Sequence, residues 1–170
     1  MMKKLRALLS AIDAISENTG KFCSWFMVIV VLIILYEVVM RAAFGRPTVW
    51  AFELSIMLWG AYFVLLPAWT HKEGGHVALD VISSRFPLRI KAIIDLVFCL
   101  VLCFTWVGAL VLAGTDFAAT SWGIREGTGS PWNPPIYPLK TMLPIGFALL
   151  GIQCLARFIR DLIILIRGKV

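Results

Sequence analysis

The stretch Tyr36-Glu-Val-Val-Met-Arg-Ala-Ala-Phe-Gly-Arg-Pro-Thr-Val-Trp-Ala-Phe-Glu53 decides the fold of this chain. It ends one long apolar segment and begins the next, with a Gly-Arg-Pro turn between them. Four charged side chains stand where apolar sequence gives way to polar sequence: Glu37, Arg41, Arg46 and Glu53. Because a carboxylate at membrane depth is costly, each of the two glutamates needs a partner or a functional reason.

The composition of the whole chain is that of an integral membrane protein. Of its 170 residues, 60% are hydrophobic and only 15% are charged, whereas an average soluble domain is roughly half apolar and about a quarter charged. The mean hydropathy is +0.87, and long windows of the sequence have no polar face. We therefore expect an all-α integral membrane protein that forms a single membrane domain over residues 1–170.

Apolar helices joined by short polar turns account for nearly all of the sequence. An amphipathic pattern over 2–17 predicts a helix that lies in the membrane interface. This helix should be retained, since Asp13 and Glu17 interrupt the apolar run that a cleaved signal peptide needs. The polar residues at 16–20 predict a break after it. Four transmembrane helices are then predicted, at 22–39, 50–69, 87–114 and 139–158.

The third predicted helix is unusually long. As an α-helix, 87–114 would extend about 42 Å, which exceeds the ~30 Å hydrocarbon core, so the helix should tilt or protrude. Ala109 and Ala113 would provide a contact face of small residues. Residues 115–138 are rich in glycine and proline and predict an ordered loop that follows the membrane interface.

The distribution of basic residues predicts the orientation in the membrane. Of the 16 lysines and arginines, four precede the first span, four lie between the second span and the first turns of the third, and four lie at the C-terminal end from Arg157 onward. The positive-inside rule therefore places both termini in the cytoplasm. The same distribution argues against nucleic-acid binding, since the basic residues flank the spans instead of forming one stripe.

The sequence contains no recognisable catalytic, cofactor or metal-binding motif. His71 and His76 lie in polar sequence without the cysteines or carboxylates of a zinc site, and neither lies inside an apolar helix where a haem would bind. No phosphate-binding loop or nucleophile motif occurs. The cysteines lie in apolar spans and are expected to be small packing residues: Cys23, Cys99, Cys103 and Cys154. We therefore expect a protein that is not an enzyme.

Glu37 and Glu53 allow two interpretations. In the first, one of them carries protons in a self-contained dimeric four-helix exporter, since intramembrane carboxylates often mark transport pathways. In the second, both lie near the interface, Glu37 paired with Arg41 four residues later and Glu53 paired with Arg46 or with a partner subunit. Their positions near the span ends favour the second interpretation. A membrane anchor for an enzyme complex is a third alternative.

A series of motifs occurs in a distinctive order: Glu37 to Arg41 with Phe44, then Pro47, Trp50-Ala-Phe-Glu53, His76-Val-Ala-Leu-Asp80, and Pro144-Ile-Gly-Phe-Ala-Leu-Leu with Arg157 and Arg160. On a chain with four predicted spans, this order resembles the DctQ-like family, the small membrane subunits of tripartite ATP-independent periplasmic (TRAP) transporters. One departure is that many relatives carry two acidic residues after the tryptophan, whereas here only Glu53 is present.

The resemblance implies a non-catalytic subunit without a cofactor in the bacterial inner membrane. It would scaffold a large multi-span subunit that transports carboxylates, such as C4-dicarboxylates, other organic acids or sialic acids, together with sodium. A periplasmic binding protein would deliver the solute. The implied partners are therefore the large subunit, the binding protein and membrane lipids.

Two sets of residues are predicted to have roles in this assembly. The structural or partner-interface residues are Glu37, Arg41, Trp50, Glu53, His76 and Asp80. Two tryptophans near the last loop, Trp122 and Trp132, are predicted to contact the periplasmic binding protein.

Overall fold

The chain folds as a set of long helices that pack side by side. The computed structural model describes residues 2–73, 90, 93–94, 96–97 and 99–167. Within these residues the α-helices are α1 (Met2–Phe44), α2 (Ala51–Lys72), α3 (Phe104–Gly123) and α4 (Tyr137–Arg167), and a π-helical turn at Cys99–Cys103 leads into α3. The described part of the chain contains no β-strand, which confirms the predicted all-α class.

Three helical segments among the described residues are long and apolar enough to cross a membrane: Lys3–Phe44, Ala51–Lys72 and Cys99–Gly123. α4 is not among these three segments, and it carries several charged residues toward its two ends: Lys140, Arg157, Arg160 and Asp161. The membrane-protein class is thus supported by three helices. The fourth span, the separate interfacial helix and the orientation of the termini stay predictions.

α1 is one uninterrupted helix of 43 residues, about 64 Å long. The break predicted at 16–20 is therefore wrong. Ser16 donates a hydrogen bond from Oγ to Gln153 Oε1 in α4 at 2.9 Å. Gly20 lies against Trp69 of α2, where a Cβ atom would come within 2.5 Å of the indole ring. These polar and small residues remain helical because they contact neighbouring helices instead of forming a turn.

α2 lies between α1 and α4, and α3 packs against α4. Small residues allow the close approach of neighbouring helices. At Gly146 of α4, an added Cβ atom would lie 2.7 Å from Cγ1 of Val64 in α2. At Gly114 of α3, an added Cβ atom would lie 3.3 Å from the backbone nitrogen of Pro144. The two glycines therefore mark the points where α4 meets its neighbours.

α3 extends further than predicted, because residues 115–123 are helical and the helix ends at Gly123. The predicted start at 87 lies outside the described residues. Ala109 and Ala113 are exposed within the described part of the chain, so their use as a contact face for a partner stays a prediction. The buried residues of α3 recur at helical spacing and continue into the segment that was predicted to be a loop. They lie on the side of α3 that packs against α4: Val107, Gly114, Ala118 and Ser121. This packing explains why the helix continues.

Two of the cysteines are joined across the helices. Cys103, the last residue of the π-helical turn, forms a disulfide with Cys154 of α4. Cys99 is buried nearby, with its Sγ atom 3.6 Å from the carbonyl oxygen of Cys154. Simple packing was predicted for all the cysteines, and this pairing was not foreseen because the bonded residues are 51 positions apart without a spacing motif.

Candidate functional site

The turn between α1 and α2 is closed by the carboxylate of Glu37. Its Oε1 atom accepts a hydrogen bond from Arg41 Nη2 at 2.8 Å, which confirms the predicted pair. Its Oε2 atom accepts from the backbone nitrogen of Thr48 at 3.0 Å and also from Thr48 Oγ1. Only 14% of the Glu37 side chain is exposed. The chain therefore supplies three donors to this carboxylate, which offsets the cost of placing it near a membrane.

Backbone and ring contacts fix the same turn. Gly45 has a φ angle of +62°, and the nitrogen of Arg46 donates to the carbonyl oxygen of Met40 at 3.1 Å. Helices commonly end on a left-handed glycine. The ring of Trp50 then stacks on Tyr36 with 5.9 Å between centroids. The two parts of the fold-deciding stretch therefore contact each other.

Glu53 links α2 to the loop between α3 and α4. It lies in the first turn of α2, where a carboxylate interacts favourably with the positive end of the helix dipole. Its Oε2 atom accepts a hydrogen bond from Thr128 Oγ1 at 3.0 Å. Among the described residues it makes no ion pair with Arg46, one of the two predicted partners. The two loops at 45–50 and 124–136 thus lie at one end of the bundle, which we call the Glu37 end.

The loop at 124–136 is ordered by its own polar contacts. Glu126 accepts hydrogen bonds from Lys140 Nζ at 2.5 Å and from Ser121 Oγ at 2.7 Å, and its carbonyl oxygen accepts from the nitrogen of Ile136 at 3.0 Å. The hydrogen bond from Lys140, with a further contribution from Ser121, holds the pKa of the Glu126 carboxyl below its ordinary value. The loop is therefore attached to the ends of both α3 and α4.

Trp122 precedes this loop and Trp132 lies within it, and both side chains are exposed. Trp122 donates from Nε1 to Thr141 Oγ1 at 2.9 Å, and its ring packs on Tyr137 with 4.4 Å between centroids. The orientation of the indole is therefore fixed by α4 even though more than half of the side chain is exposed. Contact of these tryptophans with a binding protein stays a prediction. His76 and Asp80 lie outside the described residues.

The opposite end of the bundle, which we call the Asp13 end, holds a polar cluster that the sequence did not reveal. Gln153 of α4 is 1% exposed. Its Oε1 atom accepts from Ser16, and its Nε2 atom donates to Asp13 Oδ1 at 2.9 Å. Arg160 donates to the other oxygen of Asp13 at 2.5 Å. The first part of α1 is therefore bound to the second half of α4.

A second set of contacts at the Asp13 end joins α1 to α2. Glu17 accepts hydrogen bonds from Lys21 and from Lys72, both at 2.5 Å. The sequence assigned Glu17 only a role in interrupting an apolar run. The pair with Lys21 follows helical spacing, but the pair with Lys72 depends on where α2 ends and has no local signal.

The polar side chains thus lie at the two ends of a set of apolar helices, and within the described residues no group of three histidine, cysteine or acidic side chains is placed to hold a metal ion. This arrangement is that of an integral membrane protein whose charged residues fix its loops and helix ends. The sequence profile of the DctQ component of the tripartite ATP-independent periplasmic transporters matches residues 30–163. Since this range is most of the chain, the chain belongs to the DctQ family.

No curated protein sequence matches this chain significantly. The family membership confirms the resemblance seen in the motifs, and it makes the chain a small membrane component of a TRAP transporter and an integral protein of the inner membrane. A component of a tripartite transporter has partner subunits. The matched range includes Glu37, Arg41, Trp50 and Glu53 of the Glu37 end.

Proposed function

We propose that this chain is the non-catalytic scaffold subunit of a sodium-coupled TRAP transporter for carboxylates. It would bind a large multi-span subunit that carries the solute and sodium sites, with both of its own termini in the cytoplasm. One observation carries this proposal: the polar contacts lie at the two ends of the bundle, and the helices between them expose apolar side chains.

The middle of α1 shows this separation most plainly. Residues 22–36 contain no charged side chain, and several large apolar residues of this segment are exposed: Phe22, Trp25, Val31, Leu32 and Leu35. A helix that conducted a polar solute would instead present polar groups at mid-membrane. This surface is suited to contact lipid or the apolar helices of a partner.

We assign contact with the large subunit to the face of α2 that begins at Glu53. Met57 and Gly60 follow on the same face at helical spacing. A Cβ atom on Gly60 would meet no other atom within 4 Å, so the described part of the chain leaves this position unfilled. A small residue at such a position lets a partner helix approach closely. Glu53 has one hydrogen bond, from Thr128, and retains capacity to accept another.

The test is Glu53→Gln, with Glu73→Gln as the matched control at an exposed carboxylate of the opposite end. Glu53→Gln should lower co-purification of the large subunit and solute uptake by roughly tenfold, the effect of losing one charge-assisted hydrogen bond. The thermal stability of the purified chain should fall only slightly, because the glutamine oxygen still accepts from Thr128 Oγ1 and only the dipole interaction of about 0.3–1 kcal/mol is lost. Glu73→Gln should behave as wild type in all three measurements.

Wild-type co-purification and uptake in the Glu53→Gln protein would refute the assignment of this face. The same purification tests the alternative of a self-contained exporter that cycles protons on Glu37 or Glu53. A homodimer without a large partner, together with proton flux from this chain alone, would favour the exporter. The three donors already bound to Glu37 argue against proton cycling at that residue.

We also assign contact with the periplasmic binding protein to the exposed tryptophans at the Glu37 end. Trp122 precedes the ordered loop at 124–136 and Trp132 lies within it, both are exposed, and aromatic residues are enriched in protein interfaces. With the predicted orientation, this loop faces the periplasm, where the binding protein is located.

A further inference from the structure

An apolar groove of about 850 Å³ lies between α1 and α2 and reaches the Glu37 end, and we call that end of the groove its mouth. On α1 its lining extends from Arg41 at the mouth to Met27, a rise of about 21 Å. On α2 it extends from Ala51 to Trp59. Apart from Glu37, Arg41 and a single serine, the side chains that line it are apolar.

The single serine is Ser55 of α2, and it has an unused hydrogen-bonding group. Ser55 is 8% exposed, and its Oγ atom is buried and has no hydrogen-bond partner within the described residues. A buried hydroxyl without a partner is unfavourable. Ser55 is one turn further into α2 than Ala51, which places it about 6 Å along the helix from the mouth of the groove.

Arg41 provides a cation at the mouth. Its guanidinium group donates from Nη2 to Glu37, and the side chain is 69% exposed. Because Thr48 also donates twice to Glu37, that carboxylate does not depend on Arg41 alone. A guanidinium has five N–H donors, so Arg41 has donors to spare for an anionic group.

We propose that this groove is a binding site for one glycerophospholipid. An acyl chain lies along the apolar lining, the phosphate accepts hydrogen bonds from Arg41, and Ser55 Oγ, after rotation about χ1 toward the groove, donates to an ester carbonyl. In a phospholipid the ester groups lie between the phosphate and the acyl chains, which is the order of Arg41, Ser55 and the apolar lining along the groove.

The length of the groove favours a lipid over a partner helix. One leaflet with its headgroup region is roughly 20–22 Å thick, half of the ~40–45 Å bilayer, and the groove extends about 21 Å along α1. A transmembrane helix of another subunit would need a groove along the whole ~30 Å hydrocarbon core. The site is independent of the scaffold proposal, since it is built from this chain alone.

The experiment uses the full chain, with any subunit that co-purifies, in phosphatidylcholine nanodiscs containing phosphatidylglycerol with a diazirine in one acyl chain. After illumination, labelled residues are located by mass spectrometry. We expect the label on α1 and α2 residues that line the groove. Leu32 and Leu35, which are exposed on α1 outside the groove, should be labelled much less.

A matched pair of variants tests whether the labelling depends on the groove. Ala42 lines it and its neighbour Ala43 does not, and both are exposed. Ala42→Trp should fill the mouth and reduce groove labelling by roughly tenfold, whereas Ala43→Trp should retain it. In a second pair, Arg41→Gln should reduce groove labelling roughly tenfold through loss of the phosphate contact, whereas Arg46→Gln should not.

Equal labelling of the two tryptophan variants would overturn the proposal, as would labelling spread evenly over the exposed face of α1. Groove residues that crosslink to another polypeptide would identify a partner helix as the occupant and would also overturn it. Elution of each variant at the wild-type volume in size-exclusion chromatography shows that it is folded. A folded Arg41→Gln protein decides the question even if Ala42→Trp does not fold.

Discussion

Substitution of Gly146 by alanine tests how α2 and α4 pack. The added Cβ atom would lie 2.7 Å from Val64 Cγ1, 2.9 Å from the carbonyl carbon of Val64, and closer still to its carbonyl oxygen. Carbon atoms in favourable contact are about 3.5–4.0 Å apart. Two of these atoms belong to the backbone of α2, so a change of side-chain rotamer does not relieve the contact. The helices must therefore separate by roughly 1 Å at this point.

Two opposing effects determine how much Gly146→Ala changes the free energy of unfolding. Alanine favours the helix by about 1 kcal/mol relative to glycine. Overpacking of a close contact costs about 1–3 kcal/mol, and a clash with backbone belongs in the upper part of this range. Gly146→Ala should therefore lower the free energy of unfolding by about 1–2 kcal/mol. For a chain of this size, about 2–4 °C is lost per kcal/mol, so Tm should fall by about 2–8 °C.

The assay is thermal unfolding of the purified chain in mild detergent, followed by tryptophan fluorescence. The control is Gly108→Ala in α3, because a Cβ atom at Gly108 would meet no other atom within 4 Å. This variant should be as stable as wild type or gain up to about 1 kcal/mol from helix propensity. If Gly146→Ala unfolds at the temperature of Gly108→Ala or above it, then α2 and α4 do not meet at this glycine.

Two further predictions concern the polar contacts at the ends of the bundle. Because the pKa of Glu126 is lowered from 4.5, the stability it contributes is complete above pH 4.5 and is lost as the pH falls through the folded-state pKa. Glu126→Gln should therefore lower Tm at neutral pH, and its difference from wild type should vanish in acid; a difference that persists in acid would refute this linkage. Gln153→Ala should lower the free energy of unfolding by about 1–3 kcal/mol, because Ser16 loses its partner and Asp13 loses one of its two. In chemical unfolding, Ser16→Ala should then cost less in the Gln153→Ala background than in wild type, and equal costs would show that the two residues do not interact.

Features of the fold that depend on local sequence were predictable. The apolar segments of α1 and α2 follow from their length and composition, and the Glu37–Arg41 pair follows from the spacing of two residues on one helix. The family resemblance rests on similarly local motifs, such as Trp50-Ala-Phe-Glu53. In each case the interacting groups lie within a turn or two of one another, so the relevant distances are set by helical geometry alone.

Features that depend on a second helix were not predictable in this way. Ser16 and Gly20 favour a turn when only their neighbours in sequence are considered, yet both are helical because Gln153 and Trp69 lie opposite them. The end of α3 was misplaced for the same reason, since the packing partner of its last turns is α4. A single sequence does not show which helix faces which, and therefore does not show which polar residue has a distant partner.

The same limit explains why Glu37 and Glu53 looked equivalent in sequence, each near the end of an apolar span. The structure distinguishes the two glutamates by the number of hydrogen-bond donors that contact each carboxylate. Glu37 receives three hydrogen bonds from Arg41 and Thr48, and these fix the turn between α1 and α2. Glu53 receives one, from the hydroxyl of Thr128 in an exposed loop. A carboxylate that already holds its own turn together has little capacity for a new partner, whereas Glu53 retains acceptor positions beside an unfilled helix face at Gly60. Contact with another subunit is therefore better assigned to Glu53 than to Glu37.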